Sequence, residues 1–348
     1  MATFEHDITG SAFAATLSLP PTLLTRLFGG PVVVDGEPLQ PATHAMLVLG
    51  QRLGLITDDE ADVATRRREI RDSARIAMPR ARRVNVTDMT VAGAEGRLSA
   101  RRYQPWDADA SLSPTIMYLH GGGWVVGDLD THDALCRVVA IASACTVVSV
   151  DYRLAPEHPF PAAVHDCLAA FKDLRDTAAT DGIPGAVAVM GDSAGGNLAA
   201  VVSIAMRDSG EAGPVAQGLL YPGTDLRLQS PSIDLFADGF YLSRADMHWY
   251  RHQYVPDPDD WNNVWVSPLL ADDLRDLPPA LVWTAGFDPL RDEGAAYADR
   301  LRSAGTAVGY RCFGDQIHGF ASMGVLPGGL ARAIAIGRQM GELSRAAV

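Results

Sequence analysis

The hexapeptide Gly191-Asp192-Ser193-Ala194-Gly195-Gly196 sets a serine among small residues, after the apolar run 186–190 and before the helix-like run 197–202. A Gly-x-Ser-x-Gly segment at a strand-to-helix junction forms a sharp turn that lifts the hydroxyl out of the chain. Side chains at Gly191 and Gly195 would collide with neighbouring backbone. The serine is strained, exposed and placed at the positive end of a helix. Ser193 is therefore a candidate nucleophile. A hydroxyl becomes one only when a base removes its proton, so a histidine is required.

Three histidines follow Ser193: His248, His252 and His318. His248 and His252 stand four apart in a helix-like stretch with no third metal ligand in view, and read as surface or cap residues. His318 sits in a loop after the strand-like run 307–313, at the end of a late strand, and is the expected base. Between them, Asp288 follows the strand-like run 280–285 and precedes Pro289, which suits a helix start. An acid there would hold the imidazole tautomer and stabilise the imidazolium. A plain helix N-cap fits Asp288 as well; its place between serine and histidine favours the acid. Asp292, a turn further on, reads as a cap or as a partner of Arg291.

His120-Gly121-Gly122-Gly123-Trp124 follows the strand-like run 115–119. Three consecutive glycines leave backbone N–H groups free to approach a ligand oxygen. In acyl transfer such donors stabilise the oxyanion, and loss of one costs about 3 kcal/mol. His120 precedes the serine and is expected to brace the loop.

Five segments together carry a resemblance. His120 to Trp124, Asp151-Tyr152-Arg153-Leu154-Ala155-Pro156-Glu157-His158, Gly191 to Gly196, Asp288-Pro289-Leu290-Arg291-Asp292 and His318-Gly319-Phe320 resemble, in order, the motifs of the hormone-sensitive-lipase-like (family IV) carboxylesterases of the α/β-hydrolase superfamily. The similarity covers about residues 80–345. It implies an α/β-hydrolase fold, with a mostly parallel sheet, helices on both faces and a helical cap. It implies a Ser193–His318–Asp288 triad, and oxyanion donors at the N–H groups of Gly122, Gly123 and Ala194. It further implies hydrolysis of short- to medium-chain acyl esters through an acyl-enzyme, without cofactor or metal. Turnover should rise with pH through the imidazole titration, near about 6.5. An amidase or arylformamidase could use the same triad. A non-catalytic ligand-binding relative is disfavoured by the presence of His318. Family members often pair through the last strand, here 307–313, which leaves a homodimer open.

The elements that must hold these residues follow from pattern. Runs 84–91 and 97–103 read as an opening hairpin, and runs 115–119, 146–150, 187–190, 217–221, 281–284 and 307–313 as strands alternating with helices. Residues 81–222 and 279–348 are the expected catalytic core. Residues 1–80 read as helical, with a capping-box pattern at Thr57-Asp58-Asp59-Glu60, and 223–278 interrupts the alternation. The resemblance makes these two segments the cap. Trp124, Phe240, Leu242 and Phe287, with Phe13, Leu17, Tyr241 and Trp249, are candidates for an apolar substrate pocket. Truncation of Phe240 or Leu242 is expected to alter acyl preference. Glu157 and His158 read as a buried hydrogen-bonded pair.

The resemblance implies a small-molecule ester as the partner, and bulk properties add limits. The 348 residues suffice for one large α/β core with a cap. A net charge of −13 argues against nucleic acid and anionic membranes. The cluster Arg66, Arg67, Arg68, Arg71 and Arg75 is interspersed with Asp62, Glu69 and Asp72, and so reads as a solvated, ion-paired helix face. No run of about 18 apolar residues occurs, so no membrane span is expected. Cys136, Cys145, Cys167 and Cys312 show no metal spacing and read as buried thiols. With acidic residues before any basic one at the start, no signal peptide is read. A cytoplasmic location is the expectation.

Overall fold

The computed structural model describes residues 4–5, 8–52, 61–106, 113–178 and 186–348. Eight strands form the main sheet: β1 (Val84–Gly93), β2 (Gly96–Pro105), β3 (Thr115–Leu119), β4 (Val147–Val150), β5 (Val187–Asp192), β6 (Gln217–Leu220), β7 (Ala280–Phe287) and β8 (Val308–Ile317). Their spatial order is β8-β7-β6-β5-β3-β4-β2-β1. Only β2 runs against the rest, antiparallel to both β1 and β4. The hairpin turns on two residues between Gly93 and Gly96. The central strands β3, β4, β5 and β6 are buried at every position, as expected where helices cover both faces of a parallel sheet.

Among helices, α1 (Ile8–Leu17), α2 (Pro21–Phe28), α3 (Pro41–Arg52) and α4 (Val63–Ala77) precede the sheet. The capping-box pattern at 57–60 lies outside the described residues. α4 is capped instead by Asp62, whose side chain accepts the Thr65 N–H at 2.7 Å. α5 (Asp133–Ser143) and α11 (Gly329–Ala346) cover one face, sharing a core with Tyr118, Met190 and Trp283. α6 (Ala162–Ala178), α7 (Ala194–Ser209) and α10 (Arg291–Ser303) cover the other, packed on Val148, Val189 and Val282. The segment 223–278 supplies α8 (Pro231–Leu235), α9 (Arg244–Tyr254) and two short 3-10 turns. A third core joins Leu17, Leu24 and Leu47 of the leading helices to Phe236, and to Phe287 and Ile317 at the strand ends. The chain's first segment and its insertion thus meet over the C-terminal edge of the sheet. That edge is where ligands bind in parallel α/β sheets.

Candidate active site

Strand β5 runs into α7 through Ser193, whose φ of +54° is a conformation that side chains rarely adopt. A Cβ on Gly195 would overlap the Leu119 carbonyl, and one on Gly191 the Gly195 carbonyl. Both glycines are therefore required by close backbone approach. The Ser193 N–H donates to Leu220 O at 2.8 Å, fixing the turn to β6.

Downstream elements bring two side chains to this hydroxyl. His318, just past β8, places Nε2 2.9 Å from Ser193 Oγ. Its Nδ1 lies 2.8 Å from Asp288 Oδ2. Asp288 is fully buried, and its other oxygen accepts the Leu290 N–H at 2.9 Å. Tyr221 presents its ring edge-on to His318, with centroids 4.8 Å apart. The carboxylate can hold Nδ1–H, leaving Nε2 as the acceptor for the serine proton.

The glycine loop lies beside the same hydroxyl. Gly122 and Gly123 have φ of +118° and +58°, and a side chain on Gly123 would overlap the Tyr250 ring. Val125 and Val126 N–H groups donate back to the Gly122 carbonyl at 3.1 and 2.9 Å, closing a tight turn. Ala194 is the first residue of α7, so its N–H stands at the helix's positive end.

Beneath the loop lies a polar network. Asp192 Oδ1 accepts from Gly121 N–H at 3.0 Å and from the Tyr118 hydroxyl at 2.7 Å, and His132 Nε2 stands 3.3 Å away. Burial opposes its ionisation, but His132, Tyr118 and His120 outweigh that and hold the carboxyl below its usual range. His120 is fully buried and stacked on Tyr152. Burial, reinforced by the nearby His132, pushes its imidazole down to about 4, so it is neutral near pH 7. The Tyr152 hydroxyl donates to the His120 carbonyl at 2.6 Å. His120 thus braces the loop. The neighbouring wall is held by Glu293, which accepts N–H from Thr224 and Asp225 at 2.6 and 3.1 Å. Burial raises its carboxyl well above the usual range.

A cavity of about 240 Å³ opens over Ser193, His318 and Gly121–Gly123. Ser193, His318 and the glycine turn meet at the floor of this cavity, at the C-terminal edge of the sheet, with Asp288 buried behind His318. The chain is an α/β-hydrolase. The α/β-hydrolase-fold family matches residues 116–322. The chain is 46% identical over 324 residues to the carboxylic ester hydrolase LipN of Mycobacterium tuberculosis, covering 89% of this chain and 85% of that protein. It is 37% identical over 270 residues to the ethyl acetate hydrolase of Pseudomonas putida, covering 76% and 84%. Among solved structures, an ester-hydrolase from the metagenome of Lake Arreo superposes with a TM-score of 0.84 at 44% identity, covering 87% of this chain and 98% of that one. This hydrolase belongs to the hormone-sensitive-lipase-like carboxylesterases.

Of the eight pocket candidates, Trp124, Tyr241 and Leu242 line the hydrolase's cavity, and Phe13, Leu17 and Trp249 are not among its lining residues. Nor are Phe240 and Phe287. They pack on each other and on Phe236, with centroids 5.4 to 5.7 Å apart, behind the wall. Phe287 is the last residue of β7, so its side chain is consumed by the core that α1–α3 cover. Sequence reasoning missed the wall made by α4, where Arg66, Ile70, Ser73 and Ala77 face the cavity. Their spacing is a helical stripe, masked by the charges around it. Glu157 and His158 are exposed rather than buried, and Glu157 pairs with Arg67 instead. Of the cysteines, Cys312 is exposed while the other three are buried. His248 Nδ1 lies 2.9 Å from an Arg251 nitrogen. No helix among the described residues is long and apolar enough to cross a membrane.

Proposed function

We propose that this chain hydrolyses small carboxylic esters through Ser193, His318 and Asp288. The observation that carries the reading is the pair of contacts at 2.9 and 2.8 Å linking serine, imidazole and buried carboxylate at a cavity floor. Ser193 Oγ attacks the ester carbonyl as His318 Nε2 takes its proton. The carbonyl oxygen becomes an oxyanion held by the N–H groups of Gly122, Gly123 and Ala194. The tetrahedral intermediate collapses, His318 protonates the departing alcohol, and the acyl group stays on Ser193. Water, deprotonated by the same imidazole, then releases the acid.

Substrate size follows from the cavity. At about 240 Å³ it falls just below the usual range of ligand pockets, about 300–1,000 Å³. That volume favours short acyl chains over long ones. Residues 1–80 and the insertion 223–278 act together as the cap, supplying α4 on one side and Leu242 and Tyr250 on the other. The test is hydrolysis of p-nitrophenyl esters of increasing acyl length. Turnover peaking at short chains is expected. A well-folded protein that turned over no ester would overturn the reading and direct the search to amides, then to ligand binding.

A further inference from the structure

Three arginines of α4 leave the helix toward three different partners. Arg66 is buried, donates to Asp246 at 2.7 Å and lies 4.3 Å from the centre of the Trp249 ring, tying α4 to α9. Arg71 pairs with Asp128 at 2.5 Å. Arg67, between them, reaches the loops that carry the active site. Its Nε donates to the Val125 carbonyl at 2.8 Å. One terminal nitrogen donates to the Ala155 carbonyl at 3.0 Å and to Glu157 Oε2 at 2.7 Å, and the other to Glu157 Oε1 at 2.8 Å.

Val125 belongs to the turn that closes on the Gly122 carbonyl, and the Trp124 carbonyl accepts the Ala155 N–H at 2.9 Å. Two successive carbonyls of the glycine turn therefore hang on Ala155 and Arg67, and Arg67 holds Ala155 as well. Gly122 and Gly123 have no side chains with which to fix their own N–H groups. Their direction must come from these neighbours. We propose that Arg67 is a positioning residue, whose guanidinium fixes the turn bearing the Gly122 and Gly123 N–H groups from the outer side as Asp192 fixes it from beneath. The role rests on the reading of those N–H groups as oxyanion donors.

The ion pair alone is not what sets Arg67 apart. Glu157 is more than half exposed, and a pair in that setting contributes little. The Arg67 hydrogen bonds hold its carboxyl down to about 2, so the contact persists at any assay pH. The distinguishing feature is a planar fork that serves two carbonyls and a carboxylate at once, which a lysine ammonium cannot reproduce.

The test compares wild type with Arg67→Ala, Arg67→Lys, Arg75→Ala and Ser193→Ala. Active sites are titrated with a p-nitrophenyl phosphonate, so that kcat refers to competent sites. A trifluoromethyl ketone, which adds Ser193 Oγ to its carbonyl carbon and leaves an anionic oxygen, reads the oxyanion site directly. In Arg67→Ala, kcat is expected to fall about tenfold with KM nearly unchanged, because displaced catalytic donors slow the chemical step. The inhibition constant of the ketone should rise by a similar factor. Arg67→Lys should keep most of the loss despite its charge. Arg75→Ala, which removes an exposed pair with Asp72 on the same helix, should match wild type. Wild-type kcat and ketone affinity in Arg67→Lys would overturn the role, even if Arg67→Ala failed to fold. Persistent turnover by Ser193→Ala would instead overturn the reading of the site itself. An inactive Ser193→Ala beside wild-type kinetics in both Arg67 variants would overturn the positioning role alone.

Discussion

Buried His120 and Asp192 carry the same side-chain types as His318 and Asp288 but lie beneath the glycine loop, where they make other contacts. Asp288 is proposed to orient His318 through Nδ1, 2.8 Å from its oxygen, and an ionised carboxylate has acceptors alone to offer there. Asp288→Asn would present an amide in its place and disturb the tautomer. We expect kcat to fall by about 10⁴ with the melting temperature little changed, measured on a p-nitrophenyl ester. His120 gives a different signature. Its folded pKa of about 4 lies below the ordinary 6.5, so the unfolded chain takes up a proton first as pH falls. The stability it contributes is complete above 6.5 and is lost between 6.5 and 4. His120→Gln lacks that titration, so its stability gap to wild type should narrow over this window in urea melts. A constant gap would contradict the neutral assignment. The convergence of Ser193, Asp288 and His318 was legible in sequence because each follows a strand in a fixed order and carries a distinctive residue type. The Asp192 network was not, since its contacts to Tyr118, Gly121 and His132 span 60 to 74 positions and leave no local pattern.

Helices α4 and α9 show how the same charge pattern serves two ends. α9 opens with a reciprocal capping box, in which Ser243 Oγ accepts the Asp246 N–H and Asp246 accepts the Ser243 N–H. Asp246 also receives buried Arg66. Ser243→Ala should therefore cost about 1 kcal/mol in denaturant unfolding, as a lost N-cap does. Arg66→Ala, which leaves Asp246 without its buried counter-charge, should cost about 3–5 kcal/mol. A cost for Arg66→Ala no larger than that for Ser243→Ala would contradict the buried pair. The expected solvated face, paired with the acids of its own helix, holds for Arg75 and Asp72, whereas Arg66, Arg67 and Arg71 pair with Asp246, Glu157 and Asp128. A sequence cannot tell whether the partner is a neighbour on the helix or a distant loop, so the burial of Arg66 and the reach of Arg67 were hidden. The aromatic residues were misjudged for a related reason. Phe240 and Leu242 are two apart in one irregular segment, yet only Leu242 faces the cavity. Leu242→Ala should shift the acyl-length profile, while Phe240→Ala should lower the melting temperature and leave the profile in place.

The whole molecule combines a sheet whose central strands are buried on both faces with a cavity roofed by segments far apart in sequence. The parallel sheet and its helix layers were legible because continuous apolar strands alternate with helical runs from residue 115 onward. Which residues of the leading segment line the cavity was not, because α4 precedes the sheet and contacts α9 some 180 positions later. Among the described residues arginines pair widely with aspartates, as Arg101 does with Asp88 and Asp130 and Arg137 with Asp133. Everything proposed for this cavity depends on Ser193 carrying the acyl group. The most direct measurement is hydrolysis of p-nitrophenyl butyrate by wild type and Ser193→Ala side by side, with intact-mass analysis of each protein after brief reaction. Wild type should turn over the ester and show a transient mass increase of one butyryl group, and Ser193→Ala should show neither while remaining folded. Turnover or acylation surviving in Ser193→Ala would contradict the proposed mechanism.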